Sequence, residues 1–476
     1  MAEAKAVTWR QLLDGSYLLP LTAICLGITL HAVNIPLTAT ILPSAVAEIG
    51  GLEFLSWAAT VYLVASLLTS VSGARLRRRL GSGRAYAVAG SLFAAGSLIC
   101  ALSPTMGVML AGRTLQGAGG GLILALGYAL IRSAFPEALW ARIFALVSGI
   151  WGAAAVLGAF IGGLFADLWS WRGAYYVMLP LALLLIALAW VGLSEGGQRD
   201  APAGPYPFRR LLLLGGAILA IAASGNLPAP VWRLGLIAAS LPPILLALRL
   251  DARASNRLLP RHAFSPRAVV GLGLWLAFLL MLALTAFSVY GPVLLQSLHG
   301  TSATVAGAFV AWSSLSWTIA ALIAASLPAP PERAALVAGP AVMLTGLVGL
   351  ALALPAAPLW LIALLVFCLG GGIGLGWAFI CKRILSFAAE GEGDVAATSI
   401  PTTQMFGFAF GAALSGLIAN AAGFAEALTA ATAATVANWL FLGFAVAAAA
   451  ALAAALRLVA LERAADRPVS AGRVIS

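Results

Sequence analysis

Long apolar runs alternate with short polar connections along almost the whole chain. Most runs are near twenty residues or longer, which is the length an α-helix needs to cross the hydrocarbon core of a bilayer. Strands of a membrane β-barrel would alternate over about ten residues, and these runs do not. The pattern predicts an all-α integral membrane fold of fourteen transmembrane helices, at 18–46, 54–74, 85–103, 106–131, 141–165, 173–193, 211–225, 231–250, 268–298, 303–327, 334–354, 358–380, 395–422 and 436–460.

Composition and charge support this count. Of the 476 residues, 62% are hydrophobic and only 9% charged, too few charges to cover the surface of a soluble protein of this length. All but three of the 27 lysines and arginines fall in alternate connections or at the chain ends, as the positive-inside rule requires, and the exceptions are Arg113, Arg172 and Arg233. Omitting the shortest span, 211–225, would reverse the second half and destroy the asymmetry. Both termini are therefore predicted to be cytoplasmic.

The spans divide into six, two and six. We expect an N-terminal six-helix bundle over 1–194, cytoplasmic links with a two-helix insert over 195–267, and a C-terminal six-helix bundle over 268–476. Two similar halves joined by a polar link are typical of secondary transporters, which bind solutes between the halves near the bilayer midplane.

One permanent cation lies inside a predicted span. Arg113 is about two turns into the fourth span, in the stretch "MLAGRTLQGAGGGLILALG", where insertion costs about 2.5–3.5 kcal/mol. Helical spacing places Gln116, Gly117 and Gly120 on the same face, so that an amide can hold a guanidinium or a solute while the glycines allow close approach. We predict a translocation site here. The alternative is an arginine that is only locked to a neighbouring carbonyl or directed outward.

Several motifs resemble one known family. "RTLQGAGGG" (113–121) resembles the fourth-helix motif of the major facilitator superfamily, and "GAFIGG" (158–163) resembles its fifth-helix antiporter motif. "WSWRGAYYVMLP" (169–180) and "TTQMFGFAFGAALSG" (402–416) are similar to segments of the fourteen-helix drug:proton antiporter branch. The resemblance implies the major facilitator fold, alternating access and, most simply, export. It also implies a conformational or packing role for Gly158, Gly162 and Gly163, and for Arg78 and Gly81 in the connection after the second span.

The chain departs from that family at charged positions. The first span has Asn34 where the family usually places an acid, and the connection after the second span has Arg78, ahead of Gly81, where an aspartate is usual. No carboxylate lies deep in any predicted span, although proton-coupled transporters commonly use one as the carrier. His31 is the remaining embedded titratable group and is our candidate for proton coupling, with a purely structural histidine as the alternative.

These features favour a particular class of solute. A site with Arg113 and no acid suits a neutral or anionic, amphipathic or aromatic molecule, and Tyr62, Trp312 and Trp317 are candidate stacking groups, although aromatic residues also line membrane interfaces. Uptake of an aromatic metabolite or vitamin such as riboflavin, with weak or no proton coupling, is the alternative to export. A structural or receptor-like membrane protein is a further alternative.

Other functional classes fit the sequence poorly. No HExxH motif, embedded acid pair or Walker motif supports an enzyme or an ATP-driven pump, and we expect no cofactor and no metal site. The cations at segment ends do not form a nucleic-acid-binding face. The expected partners are a small-molecule solute and the lipid bilayer, for a monomer in the cell inner membrane.

Overall fold

A computed structural model describes residues 15–193, 206–326 and 331–465, and it contains helices and no strand within these ranges. The helices are α1 (Gly15–Ile49), α2 (Trp57–Ser70), α3 (Gly73–Leu102), α4 (Met106–Ala134), α5 (Glu137–Leu168), α6 (Trp171–Tyr176), α7 (Met178–Gly192), α8 (Phe208–Ser224), α9 (Pro230–Ala252), α10 (Val269–His299), α11 (Ala303–Ser326), α12 (Glu332–Ala353), α13 (Leu359–Ser386), α14 (Gly393–Ala421) and α15 (Ala430–Ala465). A short 3₁₀ turn, Leu52–Phe54, precedes α2, and α6 with α7 makes a single span.

The predicted membrane architecture is confirmed. In the described residues, 13 helical segments are long and apolar enough to cross a bilayer. The remaining segment is α8, whose 17 residues correspond to the shortest predicted span. Because α8 packs along α2 and α14 and pairs with α9, it completes the fourteen-helix arrangement despite its length.

One predicted connection is wrong in its local structure. The basic stretch 75–84 is not a loop, because α3 already begins at Gly73. A break at Gly81 (φ 80°, ψ 168°) divides α3 into a short basic segment and the membrane-crossing part. Glycine adopts this positive φ without the steric cost that a side chain would bring, so the chain can change direction without leaving helical structure on either side.

Helices before and after the insert pack mainly among themselves. In the first part, α4 packs against α1, α2 and α3, while α5 packs on α1 and α7 on α3. In the second part, α10 packs against α14 and α15, and α13 packs against α11 and α12. The insert helix α9 contacts α8, and most of its surface is exposed, as expected for a helix facing lipid.

Hydrogen bonds join the outer ends of the two halves. Asp167, at the end of α5, accepts hydrogen bonds from the backbone N–H groups of Ala303 and Thr304, both at 2.9 Å, and thereby caps the N-terminus of α11. A carboxylate is well suited to this position because the first N–H groups of a helix have no partner within the helix. Asn420 of α14 donates to the carbonyl of Glu53 at 2.8 Å on the other flank.

Candidate functional site

Arg113 is the centre of a buried polar network between α1, α2, α3 and α4. Its Nε donates to the Ala58 carbonyl at 3.0 Å, and its Nη1 donates to the amide oxygens of Gln116, at 2.5 Å, and of Asn34. Gln116 in turn donates from Nε2 to the Ser97 hydroxyl at 2.8 Å. Arg113 is 1% exposed, so the network is closed to solvent in this conformation.

Tyr62 links Arg113 to His31. The guanidinium carbon of Arg113 lies 4.2 Å from the centroid of the Tyr62 ring, a cation–π contact. The Tyr62 hydroxyl lies 2.9 Å from His31 Nδ1 and 3.5 Å from the His31 carbonyl oxygen. Trp151 of α5 meets the His31 ring edge-on at 5.8 Å between centroids. The imidazole and the fixed cation therefore share one aromatic neighbour.

Tyr62 also allows His31 to exist in two protonation states without losing its hydrogen bond. When His31 is neutral and Nδ1 carries no proton, the Tyr62 hydroxyl can donate to Nδ1. When the imidazole is protonated, Nδ1–H can donate to the Tyr62 oxygen, while the hydroxyl turns towards the His31 carbonyl. The geometry is compatible with a proton carrier and with a structural histidine.

Arg113 has no acidic partner in the part of the chain that the structure describes. Among the carboxylates whose side chains the structure describes, none lies within ion-pair distance of Arg113. Arg172, at the outer face, pairs with Glu48, and the buried Arg210 pairs with Asp251. Arg113 is instead held by neutral amide and carbonyl oxygens, which leave its full positive charge in place.

Two donors in the network have no acceptor within the described residues. Asn34 Nδ2 is buried without a partner, because the oxygen of the same amide faces the arginine. The Nη2 group of Arg113 likewise makes no hydrogen bond there. A buried donor left unpaired costs about 1–3 kcal/mol, so an acceptor that reached Asn34 Nδ2 would be bound favourably.

Glycines on α4 let the network form. A Cβ at Gly120 would lie 2.8 Å from both His31 Nδ1 and the Tyr62 hydroxyl, and a Cβ at Gly117 would overlap the Tyr62 backbone. The Gly117 carbonyl also accepts a hydrogen bond from Ser66 Oγ at 2.8 Å. Because α2 and α4 approach closely at these positions, the Tyr62 ring lies against the guanidinium of Arg113.

The three glycines of the α5 motif contact two different helices. A Cβ at Gly158 would overlap the Val33 carbonyl of α1, and a Cβ at Gly162 would lie 2.8 Å from the Leu37 carbonyl. Gly163 faces Thr304 of α11 instead. The motif therefore places α5 against α1 and, at its outer end, against the C-terminal half.

Two predicted aromatic site residues lie away from the Arg113 network. Trp312 of α11 is 36% exposed, and its Nε1 donates to the Ala363 carbonyl of α13 at 3.0 Å. Trp317 meets Trp377 of α13 edge-on at 5.7 Å between centroids. Both tryptophans contribute to α11–α13 packing in this conformation, so the structure does not bring them together with Arg113.

Other contacts were not foreseen from the sequence. The Ala58 carbonyl, the Ser97 hydroxyl and Trp151 all belong to the network or touch it. A carbonyl has no sequence signal, and Ser97 is one of many small polar residues in the spans. Near the cytoplasmic end, Arg77 rather than Arg78 donates to Ser133 of α4, at 2.8 Å.

Comparisons with known proteins agree with this architecture. The family model described as Major Facilitator Superfamily matches residues 24–381. A relative named a probable multidrug-efflux transporter, from Mycobacterium tuberculosis (strain ATCC 25618 / H37Rv), is 35% identical over 429 residues, covering 87% of this chain and 90% of the relative. The multidrug transporter protein MdtP of Bacillus subtilis (strain 168) is 26% identical over 312 residues, covering 64% of this chain and 57% of that protein.

Solved structures support the same fold. A peptide transporter crystallised with sulfate matches with a TM-score of 0.65 at 16% identity, over 93% of this chain and 95% of that chain. A nucleoside transporter, NupG, matches with a TM-score of 0.62 at 13% identity, over 93% of this chain and 99% of that chain. At these identities the likeness concerns the fold alone.

Proposed function

Because the chain belongs to the major facilitator superfamily, and is therefore a non-enzymatic membrane transporter, we propose that it exports a small neutral or anionic aromatic solute across the cell inner membrane. Export is supported by the relative that is named a probable multidrug-efflux transporter. The two halves would alternate in exposing a site near Arg113 to each side of the membrane.

The character of the solute rests on the unneutralised charge of Arg113. A lipophilic cation would meet a fixed positive charge with no acid beside it, and the repulsion would be strong in a medium of low dielectric constant. A solute carrying a carboxylate, sulfonate or carbonyl could instead accept from Arg113 Nη2 and Asn34 Nδ2. The aromatic faces of Tyr62 and Trp151 would pack against a flat ring once the helices separate.

We further propose that export depends only weakly on a proton gradient. The first span offers Asn34 in place of an acid, and the described acidic side chains lie towards the ends of the helices or in the connections between them. His31 is the embedded group able to carry a proton, through the two hydrogen-bond arrangements that Tyr62 permits.

Dye transport in proteoliposomes tests the solute class. Purified protein is reconstituted, and the flux of carboxyfluorescein, an anionic aromatic dye, is compared with that of ethidium, a cationic one. We expect carboxyfluorescein flux to exceed that of protein-free liposomes, and ethidium flux to stay at the protein-free level. Saturable ethidium transport without carboxyfluorescein transport would overturn the assignment.

Two variants locate the effect at Arg113. Arg113→Ala should abolish dye flux at equal reconstitution, whereas Arg253→Ala, which removes an exposed arginine from the link after α9, should transport like the parent protein. Accumulation of riboflavin in intact cells, with no efflux of either dye, would favour the alternative of vitamin uptake.

A further inference from the structure

The two-helix insert contacts both halves of the molecule at its outer turn. We propose that the insert moves with the N-terminal half and that its outer turn, at Gly225 and Asn226, is part of the gate that closes the outer face. The proposal rests on the transport function proposed above, because a gate has meaning only for a chain whose halves move.

Asn226 fastens the outer turn to the N-terminal half. Its Oδ1 accepts a hydrogen bond from Trp57 Nε1 at 3.2 Å, and its Nδ2 donates to the Glu53 carbonyl at 3.3 Å. Trp57 opens α2, and Glu53 belongs to the 3₁₀ turn before it. Both polar groups of the amide are thus used on the same half.

The contact with the C-terminal half is of a different kind. Gly225 lies against the backbone of α14, where an added Cβ would be 2.9 Å from Leu417 Cα and 3.2 Å from Leu417 N. Gly225 itself has ordinary helical angles (φ −62°, ψ −25°), so only the contact, not the backbone, disfavours a side chain. A packing contact of this kind separates and re-forms more readily than a pair of hydrogen bonds. We therefore expect Gly225 to leave α14 more easily than Asn226 leaves the N-terminal half.

The C-terminal half completes this junction. Asn420, at the end of α14, donates to the same Glu53 carbonyl that accepts from Asn226. Gly416, one turn earlier, lies against Ser56 so closely that a Cβ there would overlap the Ser56 hydroxyl. One carbonyl therefore joins α14 and the insert to the N-terminal half, and outward opening must break the bond to Asn420.

The cytoplasmic end of the insert is also bound to α2. The Tyr206 hydroxyl, just before α8, donates to the Leu68 carbonyl at 2.5 Å and accepts from Ser72 Oγ at 3.0 Å. Between the two ends, Gly215 of α8 faces Val64 and Leu68 of α2. The insert is thus joined to α2 at both ends and along the middle of α8.

Besides the packing of α8 along α14, the link after α9 provides a polar attachment to the C-terminal half. Arg257 forms an ion pair with Glu392, next to the start of α14, at 3.2 Å, and the backbone N–H of Arg261 donates to the same carboxylate at 2.8 Å. This attachment lies on an irregular segment rather than on a helix of the insert. A segment of this kind can adjust while α8 and α9 move with α2.

Two disulfide cross-links distinguish the possible movements of the insert. With the native cysteines replaced by alanine, cysteine pairs are introduced as Val64→Cys with Gly215→Cys, joining α8 to α2, and as Gly225→Cys with Leu417→Cys, joining the outer turn to α14. The two positions of each pair are in direct contact in this conformation. Dye flux is measured for each double-cysteine protein after oxidation and again after reduction. The reduced form is the reference for the oxidised form of the same protein.

We expect oxidation to leave flux unchanged in the first pair and to reduce it roughly tenfold in the second, with recovery on reduction. Loss of flux in the first pair alone would show that the insert moves with the C-terminal half. Loss in both pairs, or in neither, would also overturn the proposal. If the cysteine-free parent protein carries no dye, the proposed function fails and the gate is judged by labelling alone.

Labelling at the junction gives a readout that does not need transport. A cysteine replacing Ser56, which is 1% exposed behind Gly416, reports opening of the outer face through its reaction with a membrane-impermeant maleimide in intact cells. Gly225→Val should wedge the turn away from α14 and raise the labelling rate about tenfold. Gly216→Val, on the same helix but with nothing within 4 Å, is the matched control and should leave the rate unchanged.

If the Gly225→Val variant is poorly inserted, the smaller change Gly225→Ala replaces it in the test. Gly225→Ala should also raise the labelling rate of the cysteine at position 56. A labelling rate equal to that of the Gly216→Val control in both Gly225 variants would overturn the proposal.

Discussion

At the scale of single residues, the central feature is a buried arginine held by neutral oxygens. Burial of a charge is costly unless hydrogen bonds compensate for lost water, and Arg113 obtains three of them together with the face of Tyr62. The hydrogen bond to the Ala58 carbonyl agrees with the alternative in which Arg113 is only locked to a neighbouring carbonyl. The lack of an acidic partner among the described residues, together with the unpaired amide donor of Asn34 beside it, distinguishes Arg113 from an ordinary buried ion pair such as Arg210–Asp251.

The role of the three hydrogen bonds donated by the Arg113 guanidinium can be tested by replacement with lysine. Lys keeps the charge but has no Nε and no planar fork, so it cannot hold Ala58, Asn34 and Gln116 together. We expect Arg113→Lys to insert normally and to transport carboxyfluorescein about 10- to 100-fold more slowly, a loss of roughly 1.4–2.8 kcal/mol. Flux equal to the parent at matched expression would show that charge alone is sufficient or that the arginine is idle.

Restoring the acid at position 34 should change the solute preference. In Asn34→Asp a carboxylate would face Arg113, neutralise it and remove the free amide donor, so anionic dye should lose its binding advantage. We expect carboxyfluorescein flux to fall and flux of the cation ethidium to appear, with a new dependence on the proton gradient. Asn34→Leu serves as the control, because it removes the donor without adding charge; equal ethidium flux in both variants would contradict the electrostatic explanation.

At the scale of helices, two devices recur: glycine contacts that bring helices together, and buried ion pairs that fix their ends. The insert shows the second clearly, since Arg210 of α8 and Asp251 of α9 form a buried pair. Asp251 also accepts from the backbone of Leu258 and Leu259, so one carboxylate organises the link that leads to the C-terminal half.

Breaking this pair should destabilise the protein more than breaking an exposed one. Asp251→Asn leaves Arg210 buried without a counter-charge, for which we expect a loss of about 3–5 kcal/mol. Adding Arg210→Met should recover part of the loss, because it removes the stranded charge. Arg172→Met, at the more exposed Glu48 pair, should cost about 1 kcal/mol or less. Thermal unfolding in detergent measures all four proteins, and equal losses for both sites would contradict this ranking.

Gly117 tests the helix contact that places Tyr62. A Cβ there would overlap the Tyr62 backbone, so Gly117→Ala must push α2 from α4, at a cost of about 1–3 kcal/mol. Gly107→Ala, on the same helix with nothing within 4 Å, should be neutral or slightly stabilising. Thermal stability in detergent gives the comparison. An unchanged melting temperature in Gly117→Ala would mean that the two helices can separate there without cost.

At the scale of the whole molecule, the orientation of the chain in the membrane depends on which membrane surface each charged residue faces. Two of the outer cations are explained by local contacts: Arg172 pairs with Glu48, and Arg233 donates to the Leu227 carbonyl at 2.7 Å. The two links around the insert carry a further group of cytoplasmic cations, and residues 194–205 of the first link lie outside the described residues.

The fourteen-helix topology predicts that both links of the insert face the cytoplasm. A cysteine replacing Arg253, in the link after α9, should resist an impermeant maleimide added to intact cells and react after lysis. A cysteine replacing Glu426, beyond α14, should react from outside. Labelling of position 253 in intact cells would rule out the orientation, because an odd number of spans would then precede it.

Coupling to the proton gradient is the property of the transport cycle that depends most on the acids missing from the predicted spans. We expect carboxyfluorescein flux to change little when an uncoupler collapses the proton gradient, and His31→Gln, which keeps a hydrogen-bonding side chain beside Tyr62, to transport at near the parent rate. Accumulation against a gradient that is lost in His31→Gln would show coupling through His31. Strong accumulation that survives His31→Gln would contradict both and indicate an outer acid such as Asp167.

The membrane class, the approximate helix positions and the family could be predicted without a structure, because span length, apolar composition, charge asymmetry and short motifs are local properties of the chain. Arg113 could also be singled out as a candidate site residue, because a charge inside an apolar run is visible in the sequence alone. The basic stretch 75–84 was misjudged, because charge density masks a helix whose only break is at Gly81.

The tertiary structure decided which groups meet. Tyr62 reaches both Arg113 and His31 because α2 and α4 approach at Gly117 and Gly120, a contact between segments far apart in the chain. The Ala58 carbonyl and the shared Glu53 carbonyl are backbone groups, which every residue carries and no pattern distinguishes. Trp312 and Trp317 were predicted as stacking groups for the solute, but in this conformation they pack between α11 and α13, because which way a side chain faces depends on the neighbouring helices.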